Sequence, residues 1–335
     1  MINIAVIGIG KMGISHLAIL GAHPDVKITG VCDASRLVTD ALSRYSPFPC
    51  FQDYRSMLAS VKADAVVVAV PTKFHAAMVE ELLEQKLHVF VEKPFCLNAD
   101  DSANLAGVAE KYNLVNQVGY HNRFLGTFTE VRQLLNGNYL GDIYHFHAQS
   151  HGPVVIRPQS SSWRSNKNEG GGCLMDYASH TVDLIHYLLG PVEKVHSAQL
   201  KKIFSEEVED AVYANLELRS GLSGLLSVNW SDETFRKMTT SVQLIGTKGK
   251  LMADANELKV YFREDTRPNG YEKGWNVRYV TDLTAPVSYY LRGEEYSAQI
   301  DSFIRQIQDR SSAPVNTFRS AAQTDKAISL IRSKH

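Results

Sequence analysis

A strand-length apolar run, INIAVI, leads without a break into Gly8-Ile9-Gly10-Lys11-Met12-Gly13, and a helix-period stretch opens directly behind it. Nothing else in the chain narrows the fold as far. A strand that turns at once into a helix needs one glycine for the tight turn, a second where backbone must approach a ligand, and a third for close helix packing. The helix start then offers N–H groups and the positive end of its dipole to a pyrophosphate. Asp33 stands twenty residues past Gly13, at the end of the next apolar run, KITGVCD. A carboxylate there accepts hydrogen bonds from an adenine ribose diol and repels a 2′-phosphate. The expected ligand is therefore a dinucleotide, NAD in preference to NADP, touched by Gly8, Gly10, Lys11, Met12, Gly13 and Asp33. Ser35 and Arg36 follow closely enough to embrace a 2′-phosphate, so NADP stays open.

Through the first 120 residues such apolar runs (INIAVIG, KITGVCD, AVVVAVP, LHVFVEK) alternate with helix-period segments. Runs with almost no polar position belong to strands covered on both faces, and the alternation predicts a doubly wound parallel sheet with crossover helices. Beyond Tyr120 the period changes to two, in IYHFHAQSH, DAVYANLELR, LSGLLSVNWS, TTSVQLIG and ELKVYFR. That pattern predicts an antiparallel sheet. One helix interrupts it, opening after Gly170-Gly171-Gly172 and running from Cys173 to Leu189, where Gly190-Pro191 stops it. Two amphipathic helices are expected in the tail, over EYSAQIDSFIRQIQDR and FRSAAQTDKAISLIRSK. The expectation is thus an α/β chain, with a Rossmann domain over residues 1–121 and an α+β domain over 122–335 for substrate binding and oligomerisation.

Composition excludes several functions. A net charge of −1 gives no long-range attraction for nucleic acid or anionic lipid. Cys32, Cys50, Cys96 and Cys173 are scattered without a paired motif, the pattern of reduced thiols in a cytoplasmic protein. The N-terminus lacks the basic stretch and cleavage site of a signal peptide, and the longest later apolar run, AVVVAV, is too short for a membrane span. His145, His147 and His151 share a strand face, but no acid or thiol lies at ligand spacing, and no metal is expected.

The candidate chemistry lies elsewhere. Lys93 follows the run VFVE and precedes a proline, which places its ammonium at the carboxyl edge of the parallel sheet, where ligands of such folds bind. Asp176, His180 and Asp183 are spaced four and then three apart on the interrupting helix, hence on one face. A carboxylate one turn from an imidazole orients it, and a neutral imidazole accepts the proton of a secondary alcohol while nicotinamide takes the hydride. Asp183 reads as a brace. Trp163 and Arg164 could stack on or hydrogen-bond to a hydroxylated ring.

Several motifs then occur in order: the glycine fingerprint, Val70-Pro71-Thr72 with His75, Glu92-Lys93-Pro94, Gly119-Tyr120-His121-Asn122-Arg123-Phe124, and the three glycines followed by Asp176, His180 and Asp183. In these, over essentially its whole length, the chain resembles the Gfo/Idh/MocA family of oxidoreductases. The resemblance implies a C-terminal domain with a large, open, mostly antiparallel sheet, and contact of Lys93 with the reacting hydroxyl. It makes Pro71, Thr72, His75, Glu92 and Lys93 cofactor-lining residues. His121, Arg123, Trp163, Arg164, Asp176 and Tyr177 stand as substrate-side candidates. The implied reaction is NAD(P)-dependent oxidation of a ring CH–OH in a sugar, cyclitol, sugar phosphate or nucleotide sugar, with Lys93, Asp176 and His180 catalytic. A glycosidase that oxidises only transiently, and a non-catalytic dinucleotide or sugar sensor, are the alternatives. The open sheet would pair subunits into a homodimer or homotetramer.

Overall fold

The computed structural model describes residues 1–154, 163–265, 267–287 and 290–335. By its internal contacts the chain forms two units, Met1–His121 with Pro286–Ala322, and Asn122–Ala285 with Gln323–His335.

In the first unit β1 (Ile2–Ile7), α1 (Lys11–Ala22), β2 (Val26–Cys32), α2 (Arg36–Tyr45), β3 (Cys50–Phe51), α3 (Tyr54–Ser60), β4 (Ala65–Val68), α4 (His75–Glu84), β5 (His88–Val91), α5 (Ala99–Lys111) and β6 (Asn116–Val118) follow in turn. The six strands are parallel, in the order β3-β2-β1-β4-β5-β6. The order reverses between β1 and β4, and such a switch point opens a crevice beyond the strands' carboxyl ends. The pleat divides the apolar runs between two cores. Ile4, Val6, Val67 and Phe90 pack on one face with Leu17 and Leu20 of α1, whereas Ala5, Ile7, Val66, Val68, Val89 and Val91 pack on the other with Val79, Leu82 and Leu105. Burial on both faces is why these strands carry no polar alternation.

The second unit contains α6 (Gly126–Asn136), β7 (Ile143–His151), a single π turn over Leu174–Ala178 continuing into α7 (Ser179–Leu189), then β8 (Val192–Lys201), β9 (Ala211–Leu218), β10 (Ser223–Asn229), β11 (Thr239–Gly246), β12 (Gly249–Asp254), β13 (Glu257–Phe262), β14 (Gly274–Tyr279) and α8 (Val280–Leu283). Its eight strands lie in the order β14-β13-β12-β11-β7-β10-β9-β8, antiparallel except where β10 runs parallel to β7. The inward row, including Phe146, Leu216, Leu226, Leu244, Leu251 and Val260, is buried. The opposite face is open.

Two helices complete the chain, α9 (Glu294–Gln308) and α10 (Phe318–Ser333). Here the structure corrects the sequence reading, which placed all residues after 121 in one domain. Ile300, Phe303 and Ile304 form a stripe at helical spacing and join Ile4, Val67 and Phe90 in a core of the first unit. Each such side chain stabilises by roughly 1.5–3 kcal/mol when buried, so the stripe settles where an apolar face stands ready. Among the described residues no helix is long and apolar enough to cross a membrane.

Candidate active site

The fingerprint turn follows from close sterics. Gly8 has a φ of 87°, and a Cβ there would lie 2.6 Å from the carbonyl oxygen of Ala69. A Cβ on Gly13 would overlap the carbonyl of Gly8, whereas one on Gly10 would meet nothing within 4 Å. The first and third glycines therefore serve the turn, and the second faces open space. Gly10 is the N-cap of α1, and among the described residues no side chain caps the helix; its first turn, which includes Lys11 and Met12, holds no acidic residue. These free donors suit a pyrophosphate. Asp33 is partly buried, and its carboxylate accepts the N–H of Ile9 at 2.7 Å and that of Ser35 at 2.8 Å. It is fixed at the end of β2 with acceptor capacity left for ribose hydroxyls. Ser35 and Arg36 are exposed, and Arg36 lies 3.5 Å from Asp40.

Past β4, Pro71 is exposed and Thr72 buried. His75 departs from expectation. Its ring is fully buried, 2.9 Å from the carbonyl oxygen of Val70 and 3.0 Å from those of Pro94 and Phe95. A ring with no exposed surface cannot line a cofactor pocket; it ties the loop after β4 to the loop carrying Lys93. Burial drives this imidazole toward the neutral form, against the pull of the carbonyls.

Glu92 and Lys93 follow β5 directly, and the Lys93–Pro94 peptide is cis. Lys93 is half-buried. Glu92 is buried, with Oε1 2.6 Å from Nε2 of His16 and Oε2 accepting the Lys93 N–H at 3.2 Å. Burial pushes its carboxyl up, but the hydrogen bond and electrostatic pull of His16, with the charge of Lys93, prevail and hold it below the usual carboxylate range. His121 stacks on Tyr296 with ring centroids 4.8 Å apart, and burial pushes its imidazole down to about 4. His16 and Tyr296 were missed by sequence reasoning. His16 lies three residues past Gly13 on the same buried face of α1, a signal that helical phase carries. Tyr296 had none, because its segment returns to this unit only in the folded chain.

In the second unit the helix after the glycines begins as a π turn, not as the regular helix expected. Residues four apart no longer stand one above the other across an i→i+5 turn, so the shared face argued for Asp176 and His180 does not follow from spacing. Partners reflect this. Asp176 is 3% exposed and accepts from Nε of Arg164 at 2.9 Å, and the Arg164 guanidinium lies 4.7 Å from the Trp163 ring centroid. Asp183 is fully buried and takes both Nε and a terminal nitrogen of Arg123, at 2.8 and 2.6 Å. Arg123 is thus a structural partner of Asp183, and its buried fork is turned to that carboxylate instead of to substrate. His180 is buried in the first turn of α7, and Tyr177, also buried, sets its ring edge-on to Trp230 at 6.3 Å. Burial, reinforced by the Asp176 charge, raises the Tyr177 phenol so that it stays protonated.

Glu209 anchors this start. Its carboxylate accepts the Leu174 N–H at 2.9 Å, and its backbone carbonyl accepts that of Cys173 at 2.9 Å. A Cβ on Gly172 would collide with that carboxylate, which explains the last glycine of the run. No periodicity marks a loop carboxylate that caps a helix 35 residues earlier in the chain.

Comparison with known proteins agrees with both halves. The family model described as "Oxidoreductase family, NAD-binding Rossmann fold" matches residues 2–120, and that described as "GFO/IDH/MocA C-terminal domain" matches residues 128–252. D-glucoside 3-dehydrogenase of Escherichia coli is 26% identical over 252 residues, 70% of this chain and 70% of that protein. A second relative from the same organism, 2,7-anhydro-N-acetylneuraminate hydratase, is 26% identical over 263 residues, covering 77% and 68%. The solved structure of levoglucosan dehydrogenase in complex with NADH and levoglucosan shares the fold, with a TM-score of 0.88 at 20% identity over 99% of this chain and 96% of that one. The chain belongs to the Gfo/Idh/MocA family of oxidoreductases and carries that family's NAD-binding Rossmann fold.

Proposed function

We propose that the protein oxidises a ring CH–OH of a sugar, cyclitol, sugar phosphate or nucleotide sugar to the ketone, reversibly, with NAD as hydride acceptor. Bound NAD supplies the hydride chemistry. The chain handles the proton: His180 removes it from the hydroxyl and returns it in reverse, Asp176, held by Arg164, orients the hydroxyl, and Lys93 stabilises developing alkoxide charge. The observation that carries the reading is the fixed, buried Asp176 beside the Trp163–Arg164 pair, at the start of the helix that holds a buried His180. An acidic group with a charged partner and an aromatic plane is an arrangement suited to a hydroxylated ring. Asp33, already held by two backbone N–H groups, supports NAD over NADP through its charge.

The test is a screen of cyclitols, sugars, sugar phosphates and nucleotide sugars, with NAD and NADP in parallel, following absorbance of the reduced cofactor. A second reading is the glycosidase alternative, supported by one observation: a relative is named as a hydratase, a reaction without net redox change. In it, oxidation is transient and product forms without accumulation of reduced cofactor, so product must be assayed alongside absorbance.

The open sheet face supports self-association. Leu225, Tyr213, Trp275, Val277 and Tyr279 are all at least 40% exposed on it, and cross-strand pairing sets Val277, Lys259, Met252, Gln243, His147 and Leu225 in one row. Such a face gains by being covered, and a homodimer or homotetramer through it is proposed. Sedimentation as a monomer at micromolar concentration would refute this.

A further inference from the structure

Glu92 does more than its place before Lys93 requires. It stands at the carboxyl end of β5, next to β4 and the switch point, the edge at which doubly wound sheets receive a dinucleotide. Its side chain is enclosed from three directions. His16 of α1 meets Oε1 at 2.6 Å, the Lys93 N–H meets Oε2 at 3.2 Å, and a Cβ on Gly119 would come within 3.0 Å of both oxygens.

His16 is the partner that fixes this carboxylate. Its ring is fully buried, edge-on to Phe90 at 5.0 Å, and Nδ1 has no hydrogen-bond partner among the described residues. Nε2 meets the carboxylate from within the core, and with Lys93 it keeps Glu92 ionised, a negative charge held in the interior. Of the other titratable groups that interact with Glu92, His75 is buried and His121 half-buried, both driven neutral by desolvation, Tyr296 stays protonated, and Lys93 is the counter-charge.

Nicotinamide is positively charged when oxidised and neutral when reduced. We propose that Glu92, with His16 as its donor, is a redox-poising residue that stabilises the oxidised cofactor relative to the reduced one and so offsets the opposite bias of the Lys93 ammonium. The inference rests on the reading that the nicotinamide end of NAD lies at the carboxyl ends of β4 and β5. It needs neither a known substrate nor turnover.

The test is the pair of dissociation constants for NADH, from its fluorescence, and for NAD, by competition, on the full-length protein. Glu92→Gln keeps shape and removes charge, and the Kd of NAD should rise relative to that of NADH by about tenfold, roughly 30 mV for a two-electron couple. His16→Gln, which retains an N–H near the Nε2 position, should leave the ratio within threefold of wild type. His16→Ala should shift it in the same direction as Glu92→Gln. Equal weakening of both cofactors by Glu92→Gln would make Glu92 a packing residue and overturn the proposal, as would an unchanged ratio. If Glu92→Gln binds neither cofactor, His16→Ala decides, and an unchanged ratio there is equally fatal. His180→Ala belongs in the same titration: the poise predicts an unaltered ratio in that variant whether or not the dehydrogenase reading survives, and that reading fails separately, by absence of substrate oxidation.

Discussion

The two units reach function by opposite means. In the first, the groups prepared for the ligand are largely backbone: the bare N-terminus of α1, the open space at Gly10, and an Asp33 held by two N–H groups. In the second the candidate groups are side chains held by other side chains: Asp176 is locked by Arg164, and the helix that carries it is braced by the Asp183–Arg123 pair and by Glu209 at its start. Backbone sites depend on a local turn, so they recur wherever the turn can form. Side-chain sites depend on packing and can be altered one residue at a time, which suits the role proposed for this unit in selecting a substrate.

That contrast can be broken at its chemical end first. His180→Ala should lower kcat/KM for alcohol oxidation by about 100-fold to 10,000-fold and abolish the ionisation through which the rate rises with pH, while NAD affinity barely changes. Lys93→Met, in the other unit, should cost a comparable factor. The measurement is single-turnover formation of reduced cofactor, and rates within threefold of wild type in both variants would sink the assignment.

The fingerprint glycines sharpen the backbone side. Gly10→Val should weaken NAD binding by about 100-fold or more with the melting temperature nearly unchanged, because a side chain there meets only the ligand's space. Gly13→Val should instead destabilise the fold, since its Cβ runs into the Gly8 carbonyl. Calorimetric titration and thermal melts together separate the two, and equal melting temperatures for both variants would refute the division.

A smaller effect is expected at Asp33. Asp33→Ser should move the preference toward NADP by roughly 1–3 kcal/mol, read as kcat/KM for the two cofactors. A wild type that already prefers NADP would shift the decision to Ser35 and Arg36.

The smallest effect tests both units at once. Burial depresses His121 to about 4 and His186, whose Nε2 accepts the Val192 N–H inside the second unit, to about 3. Both bind protons more readily when unfolded, so their contribution is present above the unfolded value near 6.5 and is lost as pH falls toward the folded value. Going from pH 7 to pH 5 should cost about 1–2 kcal/mol per group. Denaturant melts should show this slope flattened by His121→Asn and, independently, by His186→Asn; a slope unchanged by either would contradict it.

Part of the candidate site was legible before the fold was known. Asp33 and Lys93 were placed at strand ends by the apolar runs before them, Glu92 by the family motif it shares with Lys93, and both sheets by the change of period at Tyr120. Two expectations failed for a shared reason. His75 and Arg123 sit in motifs that also carry ligand contacts, yet each is consumed by the interior, one among three carbonyls and one by Asp183. A motif fixes a residue type and its spacing; whether that side chain faces a cavity or a core depends on what packs over it.

By itself the sequence determined what is local: the turn that only glycine can make at Gly8, the helix start behind it, the period that separates a doubly covered parallel sheet from a half-open antiparallel one. Only tertiary structure decided the rest. It returned Pro286–Ala322 to the first unit, began the helix after the three glycines with a π turn, and joined His16 to Glu92 across 76 residues and Arg123 to Asp183 across 60. Hydrophobic period constrains neighbours within a few residues, whereas a buried charge must find its partner wherever the folded chain brings one, and no local pattern records that pairing.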